Sequence, residues 1–176
     1  GLYTIMLLDD FKSFHSFEPN PIALNRFRIN VLLNNASDLV NLNNIGVSNF
    51  SDNMFLKVDG DVDPRAHLVD SNDSTNCISV PVVSLDDYIL INNIKGNILV
   101  KIDVEGGELN VLKGMKNTLQ QCRYSIIQYE CLNNENFNTI YKFIDDYEYS
   151  VYCVDDNKLI NVNKRLDGTD NYFLIH

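Results

Sequence analysis

The sequence predicts an α/β fold built on a mostly parallel, doubly wound sheet, and three observations predict it. Short apolar runs alternate with segments of helical spacing through most of the chain, the order that generates parallel βαβ units. The run Ile98-Leu99-Val100 is apolar on successive residues, as expected of a strand covered on both faces. It leads into Lys101-Ile102-Asp103-Val104-Glu105-Gly106-Gly107-Glu108, after which apolar residues at 109, 112, 115 and 119 mark one face of a helix. Acids and glycines therefore gather at the carboxyl end of a strand, the edge where open α/β sheets bind ligands. The glycines permit a tight turn and close backbone approach to a ligand.

The elements follow in order. Residues 2–9 read as a short helix entered through Gly1, and Phe14 to Phe17 as a strand ending in Glu18-Pro19-Asn20-Pro21. Asn20 is a good N-cap and Pro21 suits the first helical turn, so a helix is expected to about Leu33 with Leu24, Phe27 and Val31 on one face. Leu39 to Val47 reads as one strand, and Met54 to Val58 as a peripheral, antiparallel one. Asp59 to Asn76 is polar and aperiodic, hence a surface loop; its length suits a lid over a substrate. Ile78 to Val83 is a strand that passes through Ser84-Leu85-Asp86-Asp87-Tyr88 into a short helix. After the central strand and helix come a strand from Tyr124 to Glu130 and a helix from about Glu135 to Tyr147. Strands near Ser150 to Val154 and Tyr172 to Ile175 close the chain. Having no helix between them, they predict an antiparallel hairpin at the sheet edge.

With 176 residues and no internal repeat or linker, one domain is expected over 1–176. A net charge of -10 repels phosphate backbones, which argues against nucleic-acid binding. No apolar run is long enough to span a membrane. The four cysteines, Cys77, Cys122, Cys131 and Cys153, lack CxxC spacing and zinc-finger partners. They read as reduced, mostly buried thiols of a cytoplasmic protein. Three Asn-x-Ser sequons are what so asparagine-rich a chain produces by chance.

The acids carry the chemistry. Glu18, Asp103 and Glu130 end consecutive expected strands at one sheet edge. A buried carboxylate cluster of that kind is costly unless it serves a ligand. Glu18 sits where dinucleotide-type folds place the acid that binds ribose hydroxyls; otherwise it is a solvated turn acid. Glu105 and Glu108 also suit a helix N-terminus through the macrodipole alone. Asp59, Asp61, Asp63 and Asp70 resemble a calcium loop, but Pro64 and Asp70 stand where Gly and Glu are required. His15, His67 and His176 form no triad spacing, although His67 could serve as a base. No GxSxG or Walker string occurs, and the acids permit a metal without requiring one.

Phe17-Glu18-Pro19-Asn20-Pro21, Val83-Ser84-Leu85-Asp86-Asp87 and Val100-Lys101-Ile102-Asp103-Val104-Glu105-Gly106-Gly107-Glu108 with Val111-Leu112-Lys113-Gly114 resemble, in order and spacing, the FkbM family of S-adenosylmethionine-dependent methyltransferases. The resemblance covers essentially the whole chain, and the Lys-Ile-Asp-Val-Glu-Gly string is its specific part. It implies a class I methyltransferase fold, a Rossmann-like three-layer sandwich of seven strands with the last antiparallel. It implies S-adenosylmethionine as cofactor, bound by Gly1, Glu18, Pro19, Asn20, Ser48 and Asp103. Asp103 and Glu105 are the expected catalytic pair, with Asp103 first as base, and the acceptor is a hydroxyl of a sugar or other small metabolite. The family opens with a strand and an Asp-x-Gly-Ala-Asn-x-Gly loop. Gly1-Leu2-Tyr3-Thr4 looks like the end of that loop and the helix after it, so the first strand is expected to be missing and the chain to be a fragment. Two other readings stand beside this one: a non-catalytic interaction module of the same fold, and another nucleotide-using α/β enzyme such as a dehydrogenase. An upstream Asp-x-Gly-Ala-Asn or G-x-G-x-x-G would separate methyl transfer from NAD chemistry.

Overall fold

Asn20 shows how directly local sequence sets structure here. Its side-chain oxygen accepts the Ile22 and Ala23 N–H groups, and Pro21 opens the helix that follows, since proline has no N–H to leave unpaired. The computed structural model describes residues 1–58, 66–70, 76–121 and 125–176. The chain divides into two compact units, Gly1–Val83 and Ser84–His176.

The first unit begins with α1 (Leu2–Met6), then β1 (Phe14–Phe17), α2 (Pro21–Leu33) and β2 (Val40–Asn43). β1 and β2 pair in parallel, Phe14 opposite Val40 and Phe17 opposite Asn43. Phe27 and Val31 of α2 pack with Ala36 and Val40, the inward spacing expected of this helix. The unit continues with β3 (Gly46–Ser48), β4 (Asp52–Lys57), β5 (His67–Val69) and β6 (Cys77–Ser84), joined in a sheet of order β3-β6-β4-β5. Two expectations need correction. The single strand from Leu39 to Val47 is two, broken at residues 44–45, with its halves in different sheets. The Asp59–Asn76 loop contains a strand, β5, because His67–Val69 pairs antiparallel with Lys57–Phe55. Residues 59–65 and 71–75 of that loop, with Asp59, Asp61 and Asp63, lie outside the described residues.

The second unit holds α3 (Leu85–Ile91), β7 (Ile98–Ile102), α4 (Glu108–Lys113), α5 (Lys116–Gln121), β8 (Ser125–Glu130), α6 (Asn134–Ile144), β9 (Ser150–Asp155), β10 (Lys158–Asn161) and β11 (Asn171–Ile175). They form a five-stranded sheet of order β10-β9-β11-β8-β7. β7 and β8 are parallel, while β11 runs antiparallel to both β8 and β9. Alternate residues of β8, Ser125, Ile127 and Tyr129, are buried with Leu112, Leu119, Phe137 and Ile140 of the helices, the period of two that strands require. Tyr172 of β11 anchors this core, edge-on to Phe137 at 5.0 Å between ring centroids. The expected closing hairpin is corrected in detail. β9 turns through Asp156-Asn157, both at positive φ, into an additional strand, β10, a turn geometry that matches strand twist. β10 therefore forms the edge and β11 lies inside the sheet. The helix expected across residues 109–119 is likewise two, because the chain stops at Gly114 and restarts at Lys116. Leu112, Met115 and Leu119 are nonetheless all buried.

Among the described residues the strands are assigned to three sheets, where the resemblance implies one of seven strands. Among the described residues no helix is long and apolar enough to cross a membrane. Cys131 and Cys153 are buried thiols and Cys77 is half-buried; Cys122 lies outside the described residues.

Candidate active site

The second unit builds its site by register and alternation. Ile102 points into the core and pairs with Tyr129. Asp103 and Glu130 each come one residue later on neighbouring parallel strands, so the register sets them side by side. The chain then turns through Glu105 and Gly106, at φ 51° and 97°. Gly106 thus adopts a conformation that costs other residues strain. The turn is held by the Gly106 N–H, which donates to Glu108 Oε1 at 3.1 Å. It brings Glu105 back to the strand end, and the carboxylates of Asp103, Glu105 and Glu130 gather within 4.8 Å of one another.

Lys101 answers part of this charge, its Nζ lying 2.5 Å from Asp103 Oδ2. Asp103 is 52 % exposed at its side chain. Burial pushes the Glu130 carboxyl above the usual range; Asp103, Glu105 and Glu108 push it further, and Lys101 opposes them. From the other side, Arg165 fixes the chain after Glu130, donating to the Cys131 carbonyl at 3.2 Å and to Asp170 at 2.8 Å. Such a trio can accept hydroxyl protons and hydrogen bonds, or span a cation; exposed acidic groups at this spacing are common without an ion.

The first unit places the remaining expected residues. Glu18 follows β1, and its Oε1 accepts the Asn20 N–H at 2.9 Å. Burial raises the Glu18 carboxyl, while the Asn20 bond and the chain's amino terminus lower it. Asn44 donates to the Glu18 and Pro19 carbonyls, so this turn is fixed by side chains of the β2 end. Gly1 opens α1 with no room for a side chain, since a Cβ there would meet the Phe27 ring at 2.3 Å. Ser48 is buried on β3, in the other sheet, and donates to Asn49. His67 stands on β5 opposite Lys57.

The residues of this turn fit a nucleoside. Glu18 is a half-buried carboxylate with one oxygen committed to a backbone amide, and a pair of ribose hydroxyls would supply the donors that burial takes from it.

Sequence reasoning ranked two side chains too low. Glu130 read as the third acid of a row, and its proximity to Asp103 and Glu105 comes from the β7–β8 register. Glu108 read as a dipole-favoured acid, yet it is 4 % exposed and shapes the turn. Asp86, part of the Val-Ser-Leu-Asp-Asp motif, proves to be structural: its carboxylate accepts the Asn117 N–H, the Thr118 N–H and the Thr118 hydroxyl.

Parallel strands flanked by helices in both units define the class: a methyltransferase-like α/β fold. A solved structure supports it, the methyltransferase FkbM from Methylobacillus flagellatus, with a TM-score of 0.62 at 14% identity over 99% of this chain. The family model of the methyltransferase FkbM domain matches residues 2–151, and the chain belongs to that family. A curated relative, the hexuronic acid methyltransferase AglP of Haloferax volcanii, is 30% identical over 113 residues, 64% of this chain. The chain spans 45% of that relative and 39% of the solved chain, less than half of each.

Proposed function

We propose that the chain is the catalytic part of an S-adenosylmethionine-dependent methyltransferase acting on a hydroxyl oxygen of a sugar or other small metabolite. The convergence of Asp103, Glu105 and Glu130 at the ends of β7 and β8 carries the reading, in a chain of the FkbM family. The relative AglP, a hexuronic acid methyltransferase, supports a sugar acceptor.

Bound, the cofactor supplies a methyl group on a sulfonium, already activated toward attack. The Glu18 carboxylate would accept the ribose hydroxyls, with Gly1, Pro19 and Asn20 shaping the turn around it. Ser48 and Asp103 are the other residues that the family resemblance assigns to the cofactor. Asp103 and Glu105 orient the acceptor hydroxyl, a task in which alignment carries much of the rate. Glu130 takes the hydroxyl proton, because a carboxyl raised by burial and by neighbouring charge is the better base near neutral pH. Lys101 keeps the trio from repelling itself apart.

Residues 1–176 are further proposed to make up one domain.

The test is calorimetric binding of S-adenosylhomocysteine to the chain and to a form extended upstream, with Glu18→Ala as control. Expected is binding in the extended form, weakened about tenfold or more by the control. Absence of binding to both forms would refute the enzyme reading and favour an inert module.

A further inference from the structure

We propose that the cavity beside the 106–110 turn seats the ring of the acceptor, and that the Glu108 carboxylate selects there for neutral or amino-bearing sugars against acidic ones. The inference rests on the methyltransferase reading above.

The cavity measures about 170 Å³ and lies between the start of α4 and the flank of α6. That volume accommodates one six-membered ring, since an interior cavity of about 150 Å³ takes up benzene. Leu109 and Ile140 give it apolar wall, and Asn110, Asn136 and Thr139 line it with polar groups. The decisive group is Glu108, which lines the cavity while 4 % exposed. One of its oxygens takes the Gly106 N–H; the other has no partner among the described residues. That oxygen is not among the fully buried atoms left unpaired, so it opens onto the cavity, where its acceptor capacity is available to a ligand hydroxyl or ammonium.

Charge decides the sign of the ligand. Glu135 also lines the cavity, and Asp103, Glu105 and Glu130 gather beside the same turn. The neighbouring cation, Lys101, is already paired with Asp103. A second carboxylate brought in by a uronic acid is repelled, whereas an amine is attracted. Thr139 gives its hydroxyl proton to the Glu135 carbonyl and so offers the ligand an acceptor. The amides of Asn110 and Asn136 serve ring hydroxyls with either end. The acceptor of this chain thereby differs in charge from the hexuronic acid for which its relative AglP is named.

Saturation-transfer NMR on the 176-residue chain with glucosamine, glucose and glucuronate as probes tests the assignment. Glucosamine is expected to bind most tightly and glucuronate about tenfold more weakly or worse. Glu108→Gln keeps an oxygen for the Gly106 N–H but turns a donor into the cavity. It is expected to weaken glucosamine about tenfold and to erase the discrimination against glucuronate. Thr139→Phe, at an exposed position on α6, fills the cavity and should abolish binding of all three. Glucuronate binding as well as glucosamine, no probe binding to folded chain, or an unchanged ranking in Glu108→Gln would each overturn the subsite. S-adenosylhomocysteine binding is measured on the same samples. If it persists without sugar discrimination, the subsite alone fails; sugar discrimination in an extended chain without it supports the subsite and refutes the methyltransferase reading.

Discussion

Replacing Asp86 with alanine is expected to weaken the second unit substantially while leaving every acid of the site in place. Asp86 lies in the first turn of α3, yet its carboxylate serves as the N-terminal cap of α5: Oδ2 accepts the Asn117 N–H at 2.8 Å, and Oδ1 accepts the Thr118 N–H at 2.9 Å and the Thr118 hydroxyl at 2.7 Å. In return the Asp86 N–H donates to the Gly114 carbonyl, where α4 ends. Alanine removes three hydrogen bonds to a charged acceptor. Each contributes about 1.5 kcal/mol or more, but the Asn117 amide is at the surface and water replaces its partner. Loss of a cap alone costs about 0.5–2 kcal/mol. A total of about 2–3 kcal/mol follows, since the Thr118 amide and hydroxyl are covered and stay unpaired. Asp86→Asn keeps the acceptor for Thr118 and places a donor against the Asn117 N–H, so about half that loss is expected. Urea unfolding followed by circular dichroism gives the midpoint and slope. Asp38→Ala is the control, removing the same charge from an exposed site. A loss in Asp86→Ala below about 0.5 kcal/mol relative to this control, the ordinary range for a surface change, would refute the cap. The motif acid would then need a role other than holding α3, α4 and α5 together.

Three further outcomes are expected. Glu130 has a folded-state pKa raised by burial and neighbouring acids, so it favours folding when protonated, and this contribution is lost as pH rises through the folded value. Glu130→Gln should therefore be more stable than the parent at neutral pH, with the gap closing toward acid pH, and should lose methyl transfer; an equal gap at pH 4 and pH 8 would contradict the assigned environment. Among the described residues the buried Tyr129 hydroxyl has no hydrogen-bond partner, and leaving such a group unpaired costs about 1–3 kcal/mol. Tyr129→Phe should be neutral or stabilising by urea midpoint, and a loss above about 1 kcal/mol would show that the hydroxyl has a partner. Gly106→Ala meets no atom within 4 Å but forces a side chain onto φ 97°, so it should cost about 1–2 kcal/mol of stability through backbone strain alone.

Much of the local structure was legible because local chemistry determines it. Asn20 followed by Pro21 is a helix start in any context, and it caps α2 as expected. Ser84 likewise caps α3. The apolar residues 112, 115 and 119 were recognisable as core, although the helix carrying them is interrupted. Gly114 ends the first helix and Asp86 caps the second from a distant position, and a periodicity cannot reveal a partner some thirty residues away. The strands β5 and β10 were not legible either. His67–Val69 and Lys158–Asn161 are short and half or fully exposed, and their conformation comes from the strands they pair with rather than from their own pattern.

By itself the sequence determined that acids would sit at strand ends beside a glycine turn, because alternation and turn chemistry are properties of a few consecutive residues. It also supplied the resemblance that the family match upholds. Only the tertiary structure decided which acids meet. The β7–β8 register sets Glu130 beside Asp103, and the return of the 105–108 turn buries Glu108 against its cavity. Burial and charge proximity are sums over neighbours remote in the chain. The base strength of Glu130 and the open oxygen of Glu108 therefore exist only once strands and helices have packed.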